Sequence, residues 1–209
     1  MEIDIKKIKH TLEPYSGVLL FLVLLFFFHF TWKWVVDGDQ DSTRMYVFGK
    51  DYTPAWFYSA SLMLAKIVYW LIHLFPGNED FVRDGIGLYY LDGGILIRII
   101  WGCTGIKQMF IFAGIILFYR GPFFKKMWYI PLGCLVLTLY NIVRIALISV
   151  LTNQHPEQFH SLHNGIFRYI YYGIVFLLWI IWEECFVEKK GYDEKQQNPD
   201  TIASAENER

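Results

Sequence analysis

The sequence predicts an all-α integral membrane helix bundle of about five spans, with a small extracytoplasmic β-hairpin before Cys103. Of the 209 residues, 55% are hydrophobic and 19% are aromatic, which is unusual for a soluble domain of this length. The apolar residues fall in blocks long enough to cross a bilayer. The net charge of −1 and the absence of a basic stripe in the sequence argue against a nucleic-acid partner.

Five apolar blocks follow one another along the chain. They cover about 16–36, 55–76, 104–119, 127–151 and 166–187. The first block follows Lys6, Lys7 and Lys9 but has no small-x-small cleavage site after it, so we interpret it as an uncleaved anchor helix. A single membrane domain is therefore expected over 1–187, and the charged tail 188–209 is expected to be disordered and cytoplasmic.

Two β-prone runs lie between the second and third blocks. Residues 86–91 and 95–100 flank Asp92-Gly93-Gly94, which is a typical hairpin turn sequence. An open hairpin cannot lie bare in lipid, because its edge N–H and C=O groups would have no hydrogen-bond partners. We therefore expect the hairpin on the aqueous face of the bundle, leading directly into Cys103.

Loop charges predict the orientation in the membrane. Three basic residues in the loop 120–126 indicate the cytoplasmic side, which places Cys103, the end of the fourth block and the start of the fifth on the outer side. Counting back from this loop puts Lys6, Lys7 and Lys9 outside, against the usual charge rule. Either the rule fails here, or one of the first two segments does not fully cross the membrane.

Cys103 lies between two glycines at a predicted helix start, in Trp101-Gly102-Cys103-Thr104-Gly105. Such a position lowers the pKa of a thiol and leaves backbone N–H groups accessible to stabilise an oxyanion. The alternative is an inert packing cysteine, which is how we interpret Cys134 and Cys185.

Arg144 stands inside the fourth apolar block, where a charge costs on the order of 3 kcal/mol to insert. It lies roughly 10 Å below the outer end of its helix, and an arginine side chain can reach upward over much of that distance. Asn141 shares its helical face. Arg144 either pairs with a carboxylate such as Asp84 or Asp92, or provides a fixed cation for an oxyanion or a substrate carboxylate.

His155, His160 and His163 precede the last block. His160 and His163 have the spacing of two ligands on one helical face, although no HExxH motif supports a zinc peptidase. One of these histidines could instead be the base for Cys103. The other three, His10, His29 and His73, have no comparable neighbours in the sequence.

Three short motifs occur in order: Cys103-Thr104-Gly105-Ile106, then Asn141-x-x-Arg144-Ile145, then His163 ahead of the aromatic-rich stretch 167–173. Together with the hairpin, they resemble the exosortase/archaeosortase family over about residues 55–187, and the size resembles its short bacterial members. The chain departs from the family pattern at Thr104, where Ser is also common, and at Arg168, where an uncharged polar residue is expected.

The resemblance implies a membrane cysteine transpeptidase or protease that sorts exported proteins. It implies Cys103 as nucleophile, Arg144 as essential cation and His163 as the third member; supporting or alternative positions are His160, Asn141, Thr104 and Gly105. Substrates would carry a C-terminal sorting signal, made of a short motif, one transmembrane helix and a basic tail. Cleavage would occur at the outer face of the bacterial cytoplasmic (inner) membrane, with a cell-surface acceptor or water resolving the intermediate. Neither a metal nor an organic cofactor is implied.

Two other classes of function fit the same sequence. A small transporter or channel would line a polar path with Arg144 and Lys66. A non-enzymatic membrane assembly factor would depend on no single polar residue. Lys66 also has a simpler interpretation, in which its side chain snorkels or pairs within the bundle.

Overall fold

The computed structural model describes residues 15–37, 46–51 and 58–188, and most of these residues are helical. The lysines before the first block, His10 and the tail beyond Glu188 lie outside the described residues. The predicted domain limits, the disorder of the tail and the sidedness of the lysines therefore stay predictions.

The helices follow the predicted apolar blocks. The larger ones are α1 (Ser16–Val35), α2 (Tyr58–His73), α3 (Ile106–Phe118) and α4 (Phe123–Gln154). A 3-10 turn (Pro156–Gln158), the one-turn α5 (Phe159–Ser161) and a π turn (Leu162–Ile166) then lead to α6 (Phe167–Trp182), which ends in a second π turn (Glu183–Glu188).

Within the described residues, three segments are long and apolar enough to cross a membrane: Ser16–Val35, Phe123–Asn153 and Phe167–Val187. The count of five spans stays a prediction, because α2 has 16 residues and α3 has 13. At about 1.5 Å per residue both helices are shorter than the roughly 30 Å hydrocarbon core.

In the described part of the chain, two small antiparallel sheets flank the helices. The first contains β1 (Val36–Asp37), β2 (Tyr46–Val47) and β3 (Lys50–Asp51), and the second contains β4 (Phe81–Asp84), β5 (Gly87–Tyr90) and β6 (Gly93–Arg98). The predicted hairpin is confirmed as β5 and β6, with Leu88 opposite Ile97. The sequence analysis missed β4, which pairs with β5 so that Phe81 lies opposite Tyr90.

The helix α4 is central, with a different cluster of buried side chains on each side. On one side α1, α3 and α6 contribute mainly aromatic side chains, among them Phe21, Phe28, Phe112, Tyr171, Trp179 and Trp182. On the other side α2 and the second sheet pack against α4 through Ala65, Val68, Phe81, Leu88 and Ile145. Cys103 packs against this second cluster, which we call the α2–sheet cluster.

Close packing stabilises the bundle, since lipid removes most of the hydrophobic driving force between helices. A Cβ on Gly133 would lie 2.2 Å from the ring of Phe112, so α3 and α4 approach closely only because this residue is glycine. At the end of α3 distant from Cys103, Lys126 donates hydrogen bonds to the carbonyls of Leu117, at 2.9 Å, and Tyr119. The basic loop is thereby held against the opposite end of α3 from Cys103.

Candidate active site

Cys103 ends a 3-10 turn, Trp101–Cys103, between β6 and α3. Its backbone N–H donates to the carbonyl of Ile100 at 2.9 Å, and the N–H of Thr104 donates to the carbonyl of Trp101 at 3.0 Å. The sequence analysis expected accessible N–H groups here, and for these two amides that expectation is wrong, because the turn itself uses them. An oxyanion beside Cys103 therefore has to be stabilised by other donors.

Gly105 joins this turn to α3 in a left-handed conformation with φ of 78°. A Cβ at this position would lie 2.6 Å from the hydroxyl of Tyr171 and 3.5 Å from Nδ2 of Asn141. Glycine is thus needed both for the backbone conformation and for space. Its contribution to the site is to let the Cys103 turn approach α4 and α6.

We expect Gly105→Ala to destabilise the protein by about 2–4 kcal/mol, from left-handed strain together with overpacking. Thermal unfolding of the purified protein in detergent measures this change. Gly173→Ala is the matched control, since a Cβ there meets no atom of the described residues within 4 Å. Equal melting temperatures for the two variants would contradict the expectation.

Asn141 links the Cys103 turn to Arg144. Its Nδ2 donates to the carbonyl of Cys103 at 2.6 Å, and its Oδ1 accepts a longer hydrogen bond of 3.4 Å from Nη1 of Arg144. Asn141 is fully buried and Arg144 nearly so. The structure therefore brings these three sequence-predicted residues together, in the order Cys103, Asn141, Arg144.

Two carboxylates were considered from the sequence as partners of Arg144, and its role stays a prediction. Asp84 and Asp92 are both exposed on the second sheet. The charge of Arg144 instead interacts with the thiol of Cys103 and the hydroxyls of Tyr140 and Tyr171. The positive charge of Arg144 is therefore held close to the Cys103 turn.

Burial raises the pKa of the Cys103 thiol, and the positive charge of Arg144 and a backbone hydrogen bond at Ile100 oppose this effect. The net direction is upward, so the expectation of a lowered pKa at the helix start is wrong. The physical reason is that the thiol packs against the apolar α2–sheet cluster, where a thiolate loses its hydration. The thiol is therefore protonated at neutral pH, and a base is needed to form the nucleophile.

Only the thiolate of a cysteine reacts with iodoacetamide. We therefore expect the alkylation rate of Cys103 to keep rising at pH values above the ordinary pKa of a thiol. Arg144→Gln should slow alkylation at a fixed alkaline pH, by roughly tenfold for each unit by which the pKa rises further. Mass spectrometry in a Cys134→Ser, Cys185→Ser background, from about pH 6 to about pH 10, gives the rates. Lys66→Gln is the control, and a faster reaction in Arg144→Gln would contradict the assignment.

The segment that carries the histidines is attached to the site at its C-terminal end. The hydroxyl of Tyr140 donates to the carbonyl of Phe167 at 3.0 Å, which fixes the start of α6 against α4. Just before this point the backbone breaks from helical geometry at Gly165. The side chains of His160 and His163 lie outside the described residues, so the choice of base and the metal interpretation stay untested.

Tyr140 and Tyr171 are residues that the sequence reasoning missed. Tyr171 is buried, and its hydroxyl donates to the carbonyl of Leu137 at 3.2 Å. Tyr140 stacks edge-on against it, with ring centroids 5.2 Å apart. A signal for Tyr140 was available, since it precedes Arg144 by four residues and therefore shares its helical face.

The family model of the transmembrane exosortases matches residues 45–182, more than half of the chain. The chain belongs to the transmembrane exosortase family. This family membership implies a membrane protein with a role in protein sorting or processing. The matched range includes Cys103, Asn141, Arg144 and His163, and it begins before residue 55, where the resemblance was expected to start. Comparisons with curated proteins and with solved structures give no match.

If this exosortase-family protein were instead a transporter, Lys66 and Arg144 would line one polar path, but the two side chains lie in different surroundings. Lys66 is exposed on the outer face of α2, beside the exposed side chains of Met63 and Trp70. Arg144 is buried between the helices. The described residues therefore do not place Lys66 and Arg144 along one polar path.

Proposed function

We propose that this exosortase-family protein is a cysteine peptidase or transpeptidase that processes C-terminal sorting signals of exported proteins at the outer face of the bacterial cytoplasmic membrane. The observation that carries the proposal is the hydrogen-bonded series from Cys103 through Asn141 to Arg144. It holds a cation near a thiol in apolar surroundings, where electrostatic stabilisation of an oxyanion is strong.

The reaction uses each group in a defined step. His163 takes the proton of the Cys103 thiol, which burial otherwise keeps protonated because it raises the pKa. The thiolate attacks the scissile carbonyl, and Arg144 stabilises the oxyanion. His163 returns the proton to the leaving amine, and an acceptor amine or water then resolves the thioester on Cys103.

An apolar groove between α2 and α4 supports this proposal. The groove has a volume of about 370 Å³, and its α4 wall consists of Val143, Ala146, Leu147 and Val150. Val143 directly precedes Arg144 in the sequence, and Ala146 belongs to the α2–sheet cluster against which Cys103 packs. We assign the groove to the transmembrane helix of the substrate, which would enter laterally from the lipid with its scissile bond near Cys103.

We expect Leu147→Trp to lower processing of a tagged candidate substrate about tenfold, equivalent to about 1.4 kcal/mol, because the indole would fill the groove. The protein should fold normally, since Leu147 is 44% exposed. Leu139→Trp is the matched control, on the same helix, 54% exposed and outside the groove. The ratio of processed to precursor substrate on immunoblots measures the effect, and equal ratios for both variants would exclude this docking position.

Trapping the intermediate tests the proposed reaction. Membranes that contain the protein and a tagged candidate substrate are treated with hydroxylamine, which converts a thioester on Cys103 into a C-terminal hydroxamate on the substrate. His163→Ala should abolish hydroxamate formation, whereas His160→Ala should retain it. If both histidine variants still process the substrate and no hydroxamate forms, the cysteine mechanism is rejected. The opposite result for the two histidines would move the role of base to His160.

A further inference from the structure

A second polar site lies between α1, α3 and α6, on helices other than those that form the apolar groove. It is a cavity of about 490 Å³. Its polar lining consists of His29 and Lys33 from α1, Lys107 and Gln108 from α3, and Arg168 and Tyr172 from α6. The proposed reaction uses none of these residues. Arg168 is also one of the two departures from the family pattern. His29 lies close to Lys33 and Lys107, which the sequence did not reveal.

The cations of this cavity lie close enough to repel one another. The charges of Lys33 and Arg168 both act on Lys107, and the charges of Lys107 and Lys33 act on His29. Lys107 is also in the first turn of α3, where the helix dipole is already positive and the N-cap Gly105 has no capping side chain. Clustered cations in a membrane bundle cost free energy, and a bound anion would offset that cost.

Gln108 provides an independent indication of a ligand. Its Oε1 is buried and has no hydrogen-bond partner among the described residues. Buried polar atoms are nearly always hydrogen-bonded, so this oxygen points to a group that supplies a donor. The preferred ligand therefore combines an anionic group with a hydroxyl.

The position of the cavity in the bundle indicates where the anion comes from. Lys33 is in the last turn of α1, Lys107 in the first turn of α3, and Arg168 at the start of α6. Such helix ends lie near the membrane surface, at the level of lipid headgroups. Leu25 and Phe26 line the cavity about two turns further into α1, where acyl chains would lie.

We propose that this cavity binds the phosphate of an anionic phospholipid headgroup. Lys107 and Arg168 contact the phosphate, and Gln108 accepts a hydrogen bond from a headgroup hydroxyl. Phosphatidylglycerol has both groups, whereas the headgroup of phosphatidylcholine has no hydroxyl and carries a compensating cation. The site does not depend on the proposed reaction, so its failure would leave the cysteine mechanism standing, and the converse also holds.

Native mass spectrometry of the full-length protein, purified with equal amounts of phosphatidylglycerol and phosphatidylcholine, tests the site. We expect the wild type to retain phosphatidylglycerol at least about tenfold better, and Lys107→Gln with Arg168→Gln to lose this preference. Lys50→Gln with Lys66→Gln removes the same charge from exposed positions outside the cavity and should keep the preference. Equal retention of the two lipids by the wild type, or the same preference in both double variants, would overturn the proposal.

A second experiment separates a lipid headgroup from free phosphate. Inorganic phosphate alone is added to the delipidated protein, and thermal unfolding is compared with that in phosphatidylglycerol micelles. Protection by the lipid but not by phosphate supports the lipid site, whereas equal protection by both overturns the lipid as the source. Lys107→Arg with Arg168→Lys keeps the charges and should retain the lipid. A folded variant of this kind that loses the lipid preference would overturn the electrostatic assignment.

Discussion

Replacing Cys103 with alanine is expected to reduce substrate processing by at least about 10³-fold, because no other group at the proposed site can form the covalent intermediate. The substitution removes little structure. Asn141 binds the backbone carbonyl of Cys103, and that hydrogen bond does not require the thiol. The variant should therefore fold and hold Arg144 as the wild type does.

Cys134→Ala is the matched control for this experiment. Cys134 packs partly buried against the aromatic cluster of α1, α3 and α6, and Cys185 is exposed. A variant with either cysteine replaced by alanine should process substrate within about twofold of the wild type, since neither residue lies in the proposed site. The time course of product formation in membranes with matched protein levels gives the comparison. Normal processing by Cys103→Ala would return the transporter and assembly-factor alternatives to consideration.

Arg144→Lys is expected to lower kcat/KM by about 10²–10³-fold even though it keeps the positive charge. The guanidinium donates to Oδ1 of Asn141 with one nitrogen, and its planar fork leaves other N–H groups able to donate to a second acceptor. An ammonium group is a single point of charge on a flexible stem, so it cannot hold both directions at once. Most of the loss should therefore appear in the chemical step.

The control for Arg144→Lys is Arg120→Lys, at an exposed position in the basic loop. The side chain of Arg120 should be dispensable, because Trp182 binds its backbone carbonyl, at 2.9 Å. Processing per amount of folded protein should match the wild type in Arg120→Lys and fall in Arg144→Lys. If Arg144→Lys lowers only the amount of folded protein, then Arg144 has a structural role and the proposed oxyanion contact is wrong.

The helices and the meeting of Cys103 with Arg144 could be predicted because both depend on local pattern and on helix length. Apolar blocks locate the helices, and a fixed rise per residue gives the depth of Arg144 below the helix end. The hairpin was predictable for a similar reason, since Asp92-Gly93 is a local turn signal. The strand β4 was not, because Phe81–Asp84 contains two charges and no alternation, and it becomes a strand only by pairing with β5.

Properties that depend on packing between distant segments could not be predicted. The pKa of Cys103 rises because α2 and the second sheet pack against the thiol, and no local sequence reveals that contact. The grouping of Lys33, Lys107 and Arg168 is likewise invisible in the sequence, since each residue comes from a different helix. Each of them looks like an ordinary interfacial cation when its own helix is considered alone.

The central helix α4 is longer than a membrane is thick. Its 32 residues extend about 48 Å, against a hydrocarbon core of about 30 Å. Its ends therefore project past the hydrocarbon core by about 18 Å in total, and the second sheet packs against this helix through β6. A substrate helix of ordinary length in the proposed groove would be shorter than α4, so the residues just past its own end would be the ones presented to Cys103. The proposed cleavage site would then be selected by its distance from the lipid as well as by its sequence motif.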